Sequence, residues 1–137
     1  MKKVLVFGTF DILHKGHLNF FKQAKKFGDF LVVVVARDKN VEKIKGSAPL
    51  YDEMLRLREI RKNVLVDKVI LGNQEDRYLI LKQEKPKVIC LGYDQGVDEK
   101  KLQAKLKEYK LEEAQVIRLE AYKPEKYKSS LLKKKYE

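Results

Sequence analysis

The stretch Leu31-Val32-Val33-Val34-Val35-Ala36 decides the fold of this chain. It is a continuous apolar run rich in β-branched valine, without the alternation of apolar and polar residues that a half-exposed strand shows. Such a run predicts a strand that is buried on both faces, as in the middle of a parallel sheet. Four shorter segments predict further strands, at residues 4–7, 68–71, 88–91 and 115–119.

Helical patterns fill the segments between these predicted strands. In residues 18–27, Leu18, Phe21 and Ala24 are three apart, which is a helical spacing. Three other segments also predict helices, at residues 52–64, 76–84 and 98–110. Strands that alternate with helices through right-handed crossovers predict an α/β fold. We therefore expect a single Rossmann-like, doubly wound domain over residues 1–137, with a five-stranded parallel sheet.

The ends of the predicted strands indicate where a ligand would bind. In doubly wound sheets, ligands bind outside the carboxyl ends of the strands, at the point where the strand order reverses. Segments 8–17, 37–45 and 92–95 each follow a predicted strand and carry unusual residues. All three should therefore meet at this edge, which predicts a binding site there.

Composition narrows the classes of function. The 137 residues carry a formal net charge of +11, which suits a nucleic acid, a small polyanionic substrate or a lysine-rich surface without a partner. The lysines are spread along the chain, so we expect no nucleic-acid partner. Cys90 is the only cysteine, which excludes an internal disulfide. We expect a cytoplasmic protein without a membrane partner, because no apolar run is long enough for a leader or a span.

The segment Gly8-Thr9-Phe10-Asp11-Ile12-Leu13-His14-Lys15-Gly16-His17 joins the first predicted strand to the first predicted helix. A phosphate there would meet backbone N–H groups and the positive end of the helix dipole. We expect Gly8 to let the chain turn off the sheet, and Gly16 to let a ligand approach the backbone. His14 and His17 are three residues apart, so in a helical turn both imidazoles face the same way and can donate to phosphoryl oxygens.

Two other interpretations of the histidines stay open at this point. Each imidazole could cap a helix or pack in the core, or the pair could hold zinc. The sequence offers no cluster of further zinc ligands, because Cys90 lies inside a predicted buried strand, and we predict no metal site in the protein itself. These are the only two histidines of the chain and they share one glycine-framed turn, which favours a functional site.

The ten residues from Gly8 to His17 closely resemble the signature of the cytidylyltransferase-like nucleotidyltransferases, and the resemblance extends along nearly the whole chain. It implies that His14 and His17 are catalytic. Lys45 is similar to the family's phosphate-binding lysine after the second strand, which implies a catalytic role for it as well. From the residues alone, Lys45 could equally be a solvated surface charge.

The same resemblance implies a set of nucleotide-binding residues: Gly8, Thr9, Phe10, Lys15, Gly16, Arg56, Asp94, Tyr122, Ser129 and Ser130. Arg56 is similar to the arginine of the family's third helix, and Asp94 to an aspartate that contacts the nucleotide. Ser129-Ser130 resembles a shortened form of a motif that touches the triphosphate. Taken alone, Arg56 could be a surface charge, Asp94 a turn residue and the serines a helix N-cap.

Within the superfamily, Ala36-Arg37-Asp38-Lys39 and Leu91-Gly92-Tyr93-Asp94-Gln95 look most like the archaeal-type FAD synthases, which are FMN adenylyltransferases. This resemblance implies transfer of AMP from ATP to FMN, giving FAD and pyrophosphate without a covalent enzyme intermediate. It implies a divalent metal ion, Mg²⁺, held mainly by the triphosphate. Relatives of this kind are commonly dimers, and we expect a homodimer here.

Three alternatives stay open from the sequence. The first is a CTP-dependent cytidylyltransferase acting on glycerol 3-phosphate or another alcohol phosphate. The second is a nucleotide-binding module that has kept the pocket and lost the chemistry. The third is a basic RNA-binding protein, for which binding would depend steeply on salt.

Overall fold

The computed structural model describes residues 1–93 and 95–120. Within them the strands are β1 (Lys3–Gly8), β2 (Phe30–Val35), β3 (Lys68–Leu71), β4 (Val88–Leu91) and β5 (Gln115–Arg118). The helices are α1 (Lys15–Lys25), α2 (Asp38–Lys45), α3 (Glu53–Arg61), α4 (Leu79–Glu84) and α5 (Glu99–Glu108). No helix in these residues is long and apolar enough to cross a membrane.

All neighbouring strands are parallel, in the order β3-β2-β1-β4-β5. The chain winds from β1 outward to β3, then returns to the other side of β1 to form β4 and β5. The strand order therefore reverses between β1 and β4, which is where a doubly wound sheet binds its ligands. The predicted five-stranded, doubly wound parallel sheet is confirmed.

The valine run of β2 lies at the centre of two hydrophobic cores. Val33 and Val35 face a core shared with α1 and α3. Val32 and Val34, which point to the opposite face, pack with α4 and α5. Successive strand residues alternate between faces, so a strand covered on both sides must be apolar at every position. The run is therefore continuous because both of its faces are buried.

Helix α2 forms where the sequence pattern predicted no helix. Only Val41 of this helix is buried, and Ile44 is exposed, so the apolar spacing that reveals a helix is missing. Its first turn is held by a neighbour instead. The Asp38 N–H donates to the Glu53 carboxylate at 3.0 Å, and the Glu53 N–H donates back to Asp38 at 3.1 Å. Each acidic side chain thus satisfies an N-terminal N–H of the other helix.

Candidate active site

The turn from β1 to α1 places two imidazoles at the start of a helix. His14 is the N-cap residue of α1, and its Nδ1 accepts a hydrogen bond from the Gly16 N–H at 3.0 Å. Because of this cap, α1 begins at Lys15, three residues before the predicted start. An accepting Nδ1 carries no proton, so the proton of the neutral His14 ring is on Nε2. His14 can therefore donate through Nε2 without being charged.

The His14 and His17 rings are stacked, with centroids 3.9 Å apart and planes 24° from parallel. Burial lowers the pKa of His14. The pKa of His17 is lowered to about 3, by burial first and by His14 second; a hydrogen bond with the Ile12 backbone opposes the shift, and the Lys45 charge adds to it. Both rings are therefore neutral at pH 7.

Phe10 packs against His17. Its φ of 53° is left-handed, a strained conformation for a bulky residue that costs about 1–3 kcal/mol. The Phe10 ring is buried and meets the His17 ring edge-on at 5.3 Å. A Cβ on Gly8 would lie 2.5 Å from that ring. Gly8 has no positive φ, so its place in the turn does not depend on a left-handed backbone. Instead, Gly8 leaves room for Phe10.

Arg56 is buried beneath this turn and is 1% exposed. It donates to the Thr9 carbonyl at 2.8 Å, to the Tyr51 carbonyl at 3.0 Å and to the Asp38 carboxylate at 2.6 Å. Each of its three guanidinium nitrogens is thus bound within the protein. Arg56 supports the backbone of the signature turn, and its role in nucleotide binding stays a prediction.

Asp11, which the sequence left without a role, holds the turn from the other side. Its buried carboxylate accepts hydrogen bonds from the Leu50 N–H at 2.6 Å and the Tyr51 N–H at 2.7 Å. The signature turn is therefore tied to the segment before α3 by both Asp11 and Arg56. The place of Asp11 inside the signature was the only sequence signal for it.

The remaining predicted residues of the turn and of α2 lie toward solvent. Lys15 is exposed in the first turn of α1, and Gly16 lies beside it with its N–H on His14. Lys45 is the last residue of α2 and is exposed. The helix ends there because Gly46 takes a left-handed φ of 80° and donates its N–H to the Glu42 carbonyl.

The end of β4 is fixed by Gln95, a residue that sequence reasoning did not single out. Its side-chain amide donates to the Phe7 carbonyl at 2.8 Å, and its Oε1 accepts from the Gly92 N–H at 2.8 Å. It therefore bridges β1 and β4 at the point where the strand order reverses. Arg118 donates to the carbonyls of Gly92 and Gln95, at 2.8 and 2.6 Å, and holds the same turn from β5.

Four predicted site residues lie outside the described part of the chain: Asp94, Tyr122, Ser129 and Ser130. Within residues 1–93 and 95–120, no three His, Cys, Asp or Glu side chains are grouped so that they could hold a metal ion. The structure thus brings His14 and His17 together at the carboxyl edge of the sheet, with Gly8, Thr9, Phe10 and Gly16 around them, and the charge of Lys45 at the end of α2 contributes to lowering the pKa of His17. Such an arrangement can donate hydrogen bonds to a phosphate chain and offset its negative charge.

Comparison with known proteins agrees with this arrangement. The cytidylyltransferase-like family model matches residues 5–135. The chain is 46% identical over 121 residues to the FAD synthase of Ferroglobus placidus, and the matched region covers 88% of this chain and 78% of the relative. It is 41% identical over 135 residues to the FAD synthase of Thermoplasma volcanium, covering 98% and 94%.

Solved structures are similar to the chain as well. A crystal structure from Thermoplasma volcanium, described as a lipopolysaccharide core biosynthesis protein, is 42% identical with a TM-score of 0.83, covering 89% of this chain and 98% of that one. The pantoate–β-alanine ligase of Francisella tularensis is 15% identical with a TM-score of 0.64, covering 97% and 65%, and shares the fold alone. On the family match and the identities to these relatives, the chain belongs to the cytidylyltransferase-like family and, within it, to the FAD synthases.

Proposed function

We propose that this chain transfers the adenylyl group of ATP to the phosphate of FMN, giving FAD and pyrophosphate. The observation that carries the proposal is the stacked pair of neutral imidazoles at the start of α1, in a chain whose relatives are FAD synthases. The site can bind a triphosphate through positive charge and backbone N–H groups. The imidazoles can donate hydrogen bonds to the oxygens of the phosphorus that reacts.

In the proposed reaction a phosphate oxygen of FMN attacks the α-phosphorus of ATP. The bond from that phosphorus to the oxygen leading to the β-phosphate breaks, and pyrophosphate leaves in line. The only cysteine is an unsuitable nucleophile for a covalent step, because Cys90 is buried and burial raises the pKa of its thiol to about 12. Direct transfer between the two substrates is therefore proposed.

The neutral histidines suit a role in the transition state. His14 donates through Nε2, because its Nδ1 is occupied by the Gly16 N–H. The Nδ1 of His17 is buried, so its Nε2 is the nitrogen that can reach a ligand, and we propose that His17 acts in the tautomer that carries its proton on Nε2. Neutral donors attract the ground-state triphosphate less than cations do, and they gain most when charge grows on the reacting phosphoryl group. Lys45 supplies the fixed positive charge that neutralises the phosphates.

The nucleotide pocket is proposed to comprise Gly8, Thr9, Phe10, Lys15, Gly16, Arg56, Asp94, Tyr122, Ser129 and Ser130. In this pocket Arg56 positions Thr9 through its carbonyl. A divalent ion, Mg²⁺, is proposed to be held mainly through the triphosphate. It would shield the charge of the phosphates. A homodimer that works in the cytoplasm without a nucleic-acid or membrane partner completes the proposal.

Product analysis tests the proposal directly. The purified protein is incubated with Mg²⁺ and each pairing of ATP or CTP with FMN or glycerol 3-phosphate, and pyrophosphate release and FAD are measured, FAD after chromatographic separation from FMN. We expect FAD and pyrophosphate in equal amounts from ATP and FMN. Pyrophosphate from CTP and glycerol 3-phosphate alone would support the cytidylyltransferase alternative. Saturable ATP binding without turnover on either acceptor would support a silent nucleotide-binding module.

A further inference from the structure

Helix α2 carries Lys45 at its last position, and most of the helix is exposed to solvent. Val41 is its only buried residue within the described chain, and residues 42–48 are all exposed. Apolar packing therefore contributes little to fixing the direction of the helix. Lys45 lies about 10 Å along the helix axis from Asp38, the first residue. A tilt of about 10° at the start of α2 would therefore move Lys45 by about 2 Å.

Charged side chains hold the start of α2 instead. The Asp38 carboxylate accepts through both oxygens, from the Arg56 guanidinium at 2.6 Å and from the Glu53 N–H at 3.1 Å. Glu53 accepts in turn from the Asp38 N–H at 3.0 Å and from the Arg37 guanidinium at 2.9 Å. Arg37 also donates to the Gly72 carbonyl, directly after β3, at 2.9 Å. Because each contact has a defined donor and acceptor, together they fix the direction of the first turn of α2.

Asp38 also connects α2 to the signature turn. Its partner Arg56 is buried and donates to the Thr9 carbonyl at 2.8 Å, so one guanidinium joins the start of α2 to the backbone between β1 and α1. The two ends of α2 thus both bear on the site. Burial is the first cause that lowers the pKa of His17, and the charge of Lys45 contributes to the same shift.

We propose that Asp38 is a positioning residue for adenylyl transfer, because it holds α2 in the orientation that keeps Lys45 at a fixed place relative to His14 and His17. The inference rests on the proposed function, in which Lys45 neutralises the phosphates of ATP. A charge stabilises a transition state only when it is held in place, and a misplacement of about 1 Å can lower a rate by about a hundredfold. Asp38 acts through Lys45, not on the substrate.

The variant Asp38→Asn tests the inference. Asparagine has nearly the size of aspartate but one side-chain oxygen in place of two, so it cannot keep the hydrogen bonds from both Arg56 and the Glu53 N–H. Asp98→Asn makes the same change at the start of α5, where the exposed side chain accepts from the Lys101 N–H at 3.1 Å, and is the control. All measurements are made at a temperature where circular dichroism shows each variant to be folded.

A double-variant cycle with Lys45 separates positioning from a general loss of stability. Steady-state FAD formation and the calorimetric affinity for a non-hydrolysable ATP analogue are measured for Asp38→Asn, for Lys45→Met and for the combined variant. A parallel cycle uses Lys43→Met, which removes an exposed lysine from the same last turn of α2. Losses at two residues that act through each other do not add in free energy, whereas losses at independent residues do.

We expect Asp38→Asn to lower kcat/KM for ATP by about tenfold and to weaken binding of the analogue, with Asp98→Asn within about twofold of the unchanged chain. In the Lys45→Met background, Asp38→Asn should lower both quantities by less than about twofold. In the Lys43→Met background the loss of about tenfold should remain. An equal loss in all three backgrounds would assign Asp38 to stability alone and overturn the inference. Unchanged rates and affinity in Asp38→Asn would overturn it as well.

Glu53→Gln is a second variant, and it decides the question if Asp38→Asn does not fold. It leaves the pair of Asp38 and Arg56 in place and weakens the other half of the exchange, because an amide nitrogen replaces one of the oxygens that bind Arg37 and the Asp38 N–H. We expect a loss in kcat/KM of about threefold that disappears in the Lys45→Met background. A loss that persists there would refute the positioning role.

Failure of the inference and failure of the proposed function give different results. Binding of the ATP analogue needs no FMN. A chain that forms no FAD would therefore refute the proposed function, while the binding cycle would still test the link between Asp38 and Lys45. FAD formation by the unchanged chain, with independent losses at Asp38 and Lys45, would leave the function standing and refute the positioning role.

Discussion

Two clusters of buried charge, at opposite edges of the same sheet, have different consequences for the molecule. At the amino edge, Glu84 is paired with Lys3 at 3.2 Å and with Lys68 at 2.9 Å. At the carboxyl edge, the buried Arg56 is paired with Asp38 at 2.6 Å. Both clusters join distant parts of the chain, and both contain a charged side chain that is almost fully buried.

The partners of the two buried charges are what distinguish the clusters. Glu84 contacts the ends of two lysine side chains, which are the first residues of β1 and β3. Arg56 also contacts main-chain carbonyls, those of Thr9 and Tyr51. A lysine side chain can bend when its partner is lost, whereas a carbonyl that loses its donor can find another only if the backbone moves or water reaches it. Charge at the amino edge stabilises the fold, and charge at the carboxyl edge also positions the signature turn, which we propose to be catalytic.

The largest effect is expected at Arg56. Arg56→Met should lower the free energy of unfolding by about 3 kcal/mol, the lower end of the range for a broken buried pair, because Asp38 is still one-third exposed. FAD formation should fall as well, even at temperatures where the variant is folded. Urea unfolding and steady-state rates measure the two effects. Lys62→Met, an exposed change at the C-cap of the same helix, is the control and should change stability by less than about 0.5 kcal/mol.

A folded Arg56→Met variant with normal activity would show that the carboxyl-edge cluster is structural only. In that case the two edges of the sheet would not differ in function.

The next effect concerns the imidazoles, for which capping and chemistry can be separated. His17→Ala should lower kcat by about a hundredfold, the loss typical of one transition-state donor. His14→Asn should lower kcat similarly and keep the stability, because an asparagine N-cap can still accept from the Gly16 N–H, while it lacks the Nε2 donor. His14→Ala should in addition destabilise the protein by about 1 kcal/mol. Unchanged kcat with a raised KM for ATP would assign these rings to binding alone.

A smaller effect is expected at Gln95, which positions the other side of the site. Gln95→Glu keeps an acceptor for the Gly92 N–H but places a carboxylate oxygen against the Phe7 carbonyl. Loss of that hydrogen bond is worth about 1 kcal/mol, so KM for ATP should rise roughly fivefold with kcat nearly unchanged. The ATP-induced rise in thermal midpoint should shrink in parallel. A fall in kcat at constant KM would contradict a positioning role.

The sequence could predict what depends on local pattern. The valine run of β2 predicts a central strand because burial on both faces allows no polar residue there, and the strand ends predict the edge where ligands bind. His14 and His17 could be predicted to share a face, because helical geometry brings residues three apart together. For the elements that were predicted, the boundaries differ, as in α1, which the His14 side chain extends to Lys15.

The sequence could not predict contacts between distant segments. Arg56 has the spacing of an ordinary surface arginine, and only the folded chain shows it beneath Thr9, 47 residues away. Gln95 likewise reaches Phe7 across 88 residues. Helix α2 was missed for a related reason, since it is held by the exchange between Asp38 and Glu53 rather than by an apolar stripe.

The smallest effect is expected at the amino edge. Glu84→Gln should lower the free energy of unfolding at pH 7 by about 1 kcal/mol, because it removes the charge that the two lysines share. FAD formation should stay within twofold of the unchanged chain, since no main-chain atom of the site depends on this cluster. Urea unfolding at neutral and acidic pH and steady-state rates provide the measurements.

The stability loss in Glu84→Gln should depend on pH, and the pKa of Glu84 fixes the direction of that dependence. Burial by itself raises the pKa of Glu84, but hydrogen bonds from Lys68 and Lys3 outweigh burial and hold the pKa below its ordinary value. A carboxyl group with a lowered folded pKa contributes stability above its unfolded pKa, and the contribution is lost as the pH falls through the folded pKa. The stability gap between the unchanged chain and Glu84→Gln should therefore close on acidification. A gap that persists at acidic pH would assign the loss to packing rather than charge, and a loss of activity at neutral pH would show that the amino edge also positions the site.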